Sequence, residues 1–350
     1  MALGYHAPMQ LLILGGTVFL GRALTDAALE KGHDVTHLNR GKSAPPVARI
    51  ENLAADRTAD LSVLDGRTFD AVIDTSGYLP QVVRLSVEKL RDHAARYFFV
   101  SSVSAYQRFD HHGVTEDDPV APPLDPVPDA MTWDKYGALK AMCEAVVRET
   151  FGDRSLIVRP GLIVGPHDPT DRFTYWPHRV SLGRRVVAPA RPALPIQYID
   201  VRDLAEWMIA ALDAGLAGTY NATGMPGVAT MGDLLETCRH ASASDARFEW
   251  LDSAFLEENG ALPWSKMPLQ VPENDPAMKG FATVSVARAL AAGLRFRPQA
   301  QTVADTLAWS RTRPPDHEWK AGLSAEEERG LLAKWDLVKG RGEKDGRGLA

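Results

Sequence analysis

The 350-residue chain carries 39 Lys and Arg against 45 Asp and Glu, a formal net charge of −6, with 45% hydrophobic and 24% charged residues. That composition suits a globular protein with a full core and more than one minimal domain, and the absence of a basic excess argues against nucleic acid or an anionic membrane as partner. Only two cysteines occur, Cys143 and Cys238, which excludes a disulfide framework and a metal-spaced cysteine pair and points to a reducing, cytoplasmic setting.

Residues 1–20 lack a basic start, and Gly15-Gly16 cuts their apolar run, so they do not read as a signal peptide. No run of 18 or more apolar residues predicts a membrane span. Gln10 to Leu14 reads as a buried parallel strand, and Leu20 to Lys31 as a helix stopped by Gly32. Asp34 to Leu38, Phe69 to Asp74 and Tyr97 to Val100 read as further strands, with a helix from about Gln81 to His93. Strands alternating with helices at this spacing predict βαβ units and a parallel sheet. Gly113 to Ala130 is rich in Pro and Asp and reads as a loop. A helix from about Trp133 to Thr150 and a strand from Ser155 to Val158 follow. Beyond Gly165 the pattern becomes irregular, and tryptophans recur at 176, 250, 264, 309, 319 and 335.

The first strand runs into Gly15-Gly16-Thr17-Val18-Phe19-Leu20-Gly21 and then a helix. Backbone N–H groups and a helix N-terminus meet there, which suits a dinucleotide pyrophosphate. A middle glycine of the G-x-x-G-x-x-G spacing would fall at 18, where Val18 stands, so Val18 must turn away or the cofactor sits displaced. The second strand ends in Asn39-Arg40-Gly41-Lys42, with two cations and no carboxylate, which favours NADP over NAD. Asp56 and Arg57 are placed to meet the adenine edge. Thr75, Ser76 and Gly77 end a strand near the nicotinamide ribose.

Tyr136 and Lys140 stand four apart on a predicted helix, hence on one face. An ammonium there favours the phenolate, so the tyrosine can exchange a proton near neutral pH. Phe98-Phe99-Val100 leads into Ser101-Ser102-Val103-Ser104-Ala105-Tyr106, and hydroxyls at the C-terminal end of a parallel strand face the ligand crevice.

With these three motifs in order, the chain resembles the extended and atypical short-chain dehydrogenase/reductase family, also called the NAD-dependent epimerase/dehydratase family. Arg159-Pro160-Gly161 with Gly165-Pro166, Tyr198 to Ala205, and Asn221-Ala222-Thr223-Gly224 match later segments, so the likeness covers about residues 10–310. The resemblance implies an α/β, Rossmann doubly wound parallel sheet over 9–165, with elements such as 196–222 returning to it. A smaller substrate-binding lobe over 166–338 and a disordered tail over 339–350 complete the expected layout. Tyr198 to Ala205 would be the strand-to-helix entry into that lobe. The resemblance makes Ser102 the catalytic serine, with Ser104 the alternative and a substrate contact. It makes Tyr136 the acid/base and Lys140 its partner and ribose ligand, and it adds Pro160 and Ile163 to the cofactor set.

Dehydratases of the family carry Asp-Glu after the catalytic Ser/Thr, where this chain has Val103 and Ser104. Sugar-nucleotide enzymes carry arginines where this chain has Ile196 and, near a later turn, Val271 and Glu273. Loss of both cations argues against a nucleotide-diphosphate sugar. The Gly-Gly-Thr-x-Phe-x-Gly variant resembles that of chloroplast RNA-binding relatives, but those lack the Tyr-x-x-x-Lys. The expectation is therefore an NAD(P)-dependent carbonyl reductase or alcohol dehydrogenase on a small organic substrate, compatible with a homodimer. A sugar epimerase with retained cofactor is the alternative, followed by a non-catalytic nucleotide or RNA binder. His167, Arg172 and Trp176 follow the sixth strand and, with Tyr78, are the expected substrate contacts. No metal ligand set is expected.

Overall fold

The computed structural model describes residues 7–42, 45, 47–272 and 275–344, which form two compact units. The first unit comprises Met1–Ile163, Gln197–Pro226 and Val284–Phe296; the second comprises Val164–Ile196, Gly227–Thr283 and Arg297–Ala350. The strands are β1 (Gln10–Leu14), β2 (Asp34–Asn39), β3 (Glu51–Ala54), β4 (Phe69–Asp74), β5 (Ala94–Val100), β6 (Ser155–Pro160), β7 (Leu162–Val164), β8 (Arg185–Pro189), β9 (Tyr198–Asp200), β10 (Gly218–Ala222) and β11 (Arg247–Leu251). The helices are α1 (Phe19–Glu30), α2 (Pro80–Leu90), α3 (Tyr136–Phe151), α4 (Tyr175–Ser181), α5 (Val201–Asp213), α6 (Met231–Ser242), α7 (Ser253–Glu258), α8 (Ala287–Ala291), α9 (Gln299–Ser310) and α10 (Ala325–Lys344).

In the first unit seven strands pair in parallel, in the order β10-β6-β5-β4-β1-β2-β3. This is the doubly wound sheet that the sequence predicts, with its order reversing between β1 and β4. Successive side chains in a strand point to opposite faces, and both faces here are apolar. Leu11, Ile13, Ala71, Ile73, Phe98, Val100, Leu156 and Val158 pack on one face against α1 and α5. Leu12, Leu14, Val72, Tyr97, Phe99 and Ile157 pack on the other, against α2 and α3.

Several expected boundaries move. The second helix ends at Leu90 rather than His93, and α3 begins at Tyr136 rather than Trp133. Trp133 lies in a turn whose carbonyl accepts from the Tyr136 N–H. The segment Tyr198 to Ala205 enters α5, which packs under the sheet of the first unit instead of leading into a separate lobe. Its start is fixed by Asp200, whose carboxylate caps the helix at the Arg202 N–H.

The second unit contains a parallel pair, β8 with β11, and a helical layer in which α6 packs against α4 and α9. All six tryptophans noted above lie in it. The tail expected to be disordered from 339 is helical through Lys344. Three glutamates, Glu326 to Glu328, open α10, where anionic side chains suit the helix dipole. Asp336 and Lys339 tie the helix to Arg185 and Glu249. Residues 345–350, like Glu273, lie outside the described residues. Among the described residues no helix is long and apolar enough to cross a membrane.

Candidate active site

β1 is followed by Gly15, whose φ of +100° suits glycine and few other residues. A Cβ on Gly16 would run into the His37 imidazole of β2. The loop is thereby pressed onto the strand ends beside it. Val18 is extended, at φ −126° and ψ 140°, so the missing middle glycine introduces no backbone strain. Phe19 takes φ +40°, a left-handed value that is uncommon for a bulky side chain. α1 has no side-chain cap and no acidic residue in its first turn. Its leading N–H groups thus keep the capacity for an anion that the motif implies.

At the end of β2, Asn39 accepts the Gly41 N–H at 2.9 Å, while its buried Nδ2 has no partner. An unpaired donor at the ribose end of a dinucleotide site fits a sugar hydroxyl. Arg40 and Lys42 are exposed. Asp56 is held below the ordinary carboxylate range first by hydrogen bonds from Thr58, then by the charges of Arg40 and Lys42. Arg57 is not turned to an adenine edge. Its guanidinium clamps Asp74 with two 2.8 Å bonds and also reaches Ser76 and Ser86. Burial works to raise the Asp74 pKa, but Arg57 outweighs it and holds the carboxylate charged. The pair braces the end of β4, from which the Thr75 hydroxyl donates to the Leu14 carbonyl at 2.9 Å.

The chemical end is built from the same sheet edge. Ser102 follows β5, and its Oγ accepts the Ser104 N–H at 3.0 Å, which leaves the hydroxyl proton for a substrate oxygen. Gly137, next to Tyr136, has no room for a Cβ, which would overlap the Ser104 carbonyl oxygen. That close approach seats the start of α3 on the serine segment. Lys140 is buried and donates to the carbonyls of Gly77 at 2.7 Å and Val100 at 2.6 Å. Burial lowers its pKa to about 8. Its ammonium lies 4.3 Å from the Phe99 ring and 5.4 Å from the Tyr78 ring.

One turn further along α3, the fully buried Glu144 receives Arg159 of β6 at 2.9 and 2.7 Å and the Ser101 hydroxyl at 2.6 Å. Burial opposes its charge, yet Arg159 keeps its pKa below the ordinary value. Sequence reasoning missed this brace. Tyr136, Lys140 and Glu144 recur every four residues, which was visible; the partner Arg159 was read only as part of a motif. Pro160 closes β6, and Ile163 lies in β7, half-buried.

The segment after β7 is built differently. Trp176 is fully buried in the second unit and donates to the Pro268 carbonyl at 2.9 Å, so it is a core side chain rather than a pocket wall. His167 is exposed, with its ring 5.4 Å from Trp309, and Arg172 donates to the Thr170 hydroxyl at 3.2 Å. Asp171 binds Arg313, His317 and the Lys320 N–H.

A glycine turn before an uncapped helix, with a serine after one strand and a tyrosine and a lysine on the helix seated against it, is the arrangement of a Rossmann dinucleotide site. The comparisons agree. The family model described as "NAD dependent epimerase/dehydratase family" matches residues 11–86 and 81–223. The chain belongs to that family.

Among characterised relatives, it is 29% identical over 217 residues to chloroplast stem-loop binding protein of 41 kDa b of Arabidopsis thaliana, covering 56% of this chain and 53% of that protein. It is 29% identical over 190 residues to dTDP-6-deoxy-L-talose 4-dehydrogenase (NAD(P)(+)) of Kitasatospora kifunensis, covering 48% and 57%. The chain thus spans a little over half the length of the curated relatives it matches. Among solved structures it resembles Bordetella bronchiseptica WbmH in complex with NAD+, with a TM-score of 0.66 and 16% identity over 87% of this chain and 99% of that one. Thermus thermophilus UDP-glucose 4-epimerase with NAD gives 0.64 and 17%, covering 87% and 100%. Human epimerase family protein SDR39U1 with NADPH gives 0.59 and 21%, covering 86% and 99%. At these identities the structures establish the fold.

Proposed function

We propose that this enzyme is a sugar epimerase that uses NAD as a retained cofactor and inverts a carbinol centre by oxidation and re-reduction. The observation that carries the reading is the seating of α3, with Tyr136 and Lys140, on the ends of β4 and β5: Lys140 donates to the Gly77 and Val100 carbonyls, and Gly137 abuts the Ser104 carbonyl next to Ser102. Bound NAD would supply the reversible hydride acceptor for the substrate carbon. Gly15 to Gly21 would hold its pyrophosphate, Asn39 the adenosine ribose, and Thr75 to Gly77 the nicotinamide end. Tyr136 takes the hydroxyl proton as the carbonyl forms and gives it back on reduction. The nearby Lys140 cation favours the phenolate that this requires. Ser102 donates its hydroxyl to the same substrate oxygen and orients it.

Support for NAD over the NADP expected from Arg40 and Lys42 comes from the unpaired Asn39 amide and from Asp56 among those cations. NAD also accompanies the UDP-sugar 4-epimerases of Bacillus cereus and Thermus thermophilus, whose fold this chain shares. The carbonyl reductase expected from the sequence is the second reading, favoured by the match to a 4-dehydrogenase. The partner is a small molecule, since the net charge of −6 suits RNA poorly. The deciding experiment incubates the NAD-loaded enzyme with UDP-hexoses, dTDP-hexoses and free hexoses. Inversion at one carbon without net NADH supports the epimerase. Stoichiometric NADH or NADPH turnover with keto-sugars, without inversion, replaces it with the reductase.

A further inference from the structure

Among the described residues Trp133 is the most exposed large apolar side chain, at 80%. A tryptophan left in water forgoes a large apolar burial, so its position needs a reason. It stands three residues before Tyr136, and its carbonyl is bonded to the first turn of α3 through the Tyr136 N–H. Its ring centroid lies 5.6 Å from that of Tyr136, inclined by 57°. On the phenol's other contact, Tyr78 lies 6.4 Å away and is 45% exposed. The Tyr78 ring in turn faces the Lys140 ammonium. The acid/base phenol therefore sits in a row of rings, Trp133–Tyr136–Tyr78, of which both flanking members present surface to solvent.

A substrate whose hydroxyl reaches the Tyr136 oxygen has to set the atoms beside that hydroxyl against a neighbouring ring. An acyclic carbonyl compound has little to lay there. A pyranose has a flat face of C–H groups that is apolar and slightly positive, and an indole face is apolar and slightly negative. Tryptophan also loses little rotamer freedom when it stacks, having two side-chain torsions.

We propose that Trp133 is the specificity wall of this active site, against which the C–H face of the substrate's sugar ring stacks while Tyr78 bounds the other side of the phenol. This rests on the sugar-epimerase reading and deepens it: the ring, and not only the reacting hydroxyl, is what the site recognises. Stacking of this kind is lost on truncation to alanine and largely kept on replacement by another aromatic residue.

The test measures KM, kcat, NAD affinity and thermal midpoint for the wild type, W133A and W133F, with UDP-glucose, dTDP-glucose and free glucose as probes at saturating NAD. The expected result is a KM raised about tenfold in W133A, with kcat, NAD affinity and thermal midpoint close to wild type, and W133F within about threefold. A wild-type KM in W133A overturns the inference, and so does an equal loss of NAD affinity or stability. If the wild type neither binds nor converts any of the three sugars, the epimerase reading falls and takes this inference with it.

Discussion

Two segments that each follow a strand, β1 and β7, show what separates a binding loop from a structural one. The turn after β1 leaves its polar groups open: α1 lacks a side-chain cap, and the Asn39 amide beside it has no partner. The segment after β7 ties its charged and indole groups into internal bonds, although Asp168 Oδ2 and Thr174 Oγ1 stay buried without a partner. Asp168 accepts from Thr170, Asp171 takes Arg313, His317 and the Lys320 N–H, and the Trp176 indole reaches a carbonyl. Residue type did not reveal the difference, since the second segment holds the aromatic and charged side chains usually associated with a pocket. The partners did. With Asp171 and the Trp176 indole already bonded, those side chains have little left to offer a ligand.

The sharpest way to press that comparison is at the chemical end. Tyr136→Phe keeps the ring packing against Trp133 and Tyr78 but removes the transferable proton. Turnover should fall by at least about a hundredfold while NAD titration stays unchanged. Near-normal turnover would remove Tyr136 from the mechanism.

Next in size is a change to the structural loop. Asp171→Ala leaves the nearly buried Arg313 guanidinium without its 2.6 Å partner, which should cost about 3–5 kcal/mol. Chemical denaturation should register the loss, and NAD affinity measured on the folded protein should not move. A weakened NAD site without lost stability would reverse the roles given to the two segments.

A pH dependence separates them further. His37 is buried beside Gly16, and burial lowers its pKa to about 4, below the ordinary 6.5. The unfolded chain therefore binds this proton first. The stability from neutral His37 is complete above about pH 6.5 and declines as pH falls towards 4, by up to roughly 3 kcal/mol. His37→Leu should flatten that part of the profile relative to wild type in urea titrations run from pH 7 to pH 4. Identical slopes would assign the acid sensitivity elsewhere.

The smallest effect concerns cofactor choice. Asn39→Ala should weaken NADH binding by a few-fold, the scale of one hydrogen bond, while Arg40→Ala leaves it within about twofold. Fluorescence titration with NADH and NADPH reads both. A larger loss in Arg40→Ala, confined to NADPH, would restore the preference first inferred from Arg40 and Lys42.

These effects also mark what the sequence disclosed. β1, β2 and β4 were legible because runs such as Leu11 to Leu14 are apolar on both faces, as a covered parallel sheet demands. The serine, tyrosine and lysine were legible because their spacing has a chemical meaning. What remained hidden depends on distance in the chain. Nothing local to Asp171 announces Arg313, 142 residues away, nor does Arg57 announce Asp74. Nothing local to Gly137 announces the Ser104 carbonyl, which leaves no room for a Cβ there. The tail misled through its glycines, whose cost to a helix is offset by Asp336 and Lys339 pairing with Arg185 and Glu249.

The chain's path through its two units sets an order of events during synthesis. The sheet's first six strands have left the ribosome by Ile163, but α5, which covers Ile13, Ile73 and Phe98 on one face, spans Val201–Asp213. β10 follows it, and the last stretch of the same unit ends at Phe296. For about fifty residues of elongation, from Ile163 to Asp213, a nearly complete sheet therefore waits with part of one apolar face bare. Translation at roughly 5–20 residues per second makes that an interval of roughly 3–10 seconds. In that window the nascent chain is a natural client for a chaperone that shields aliphatic surface, and slow codons placed before Val201 would lengthen its exposure.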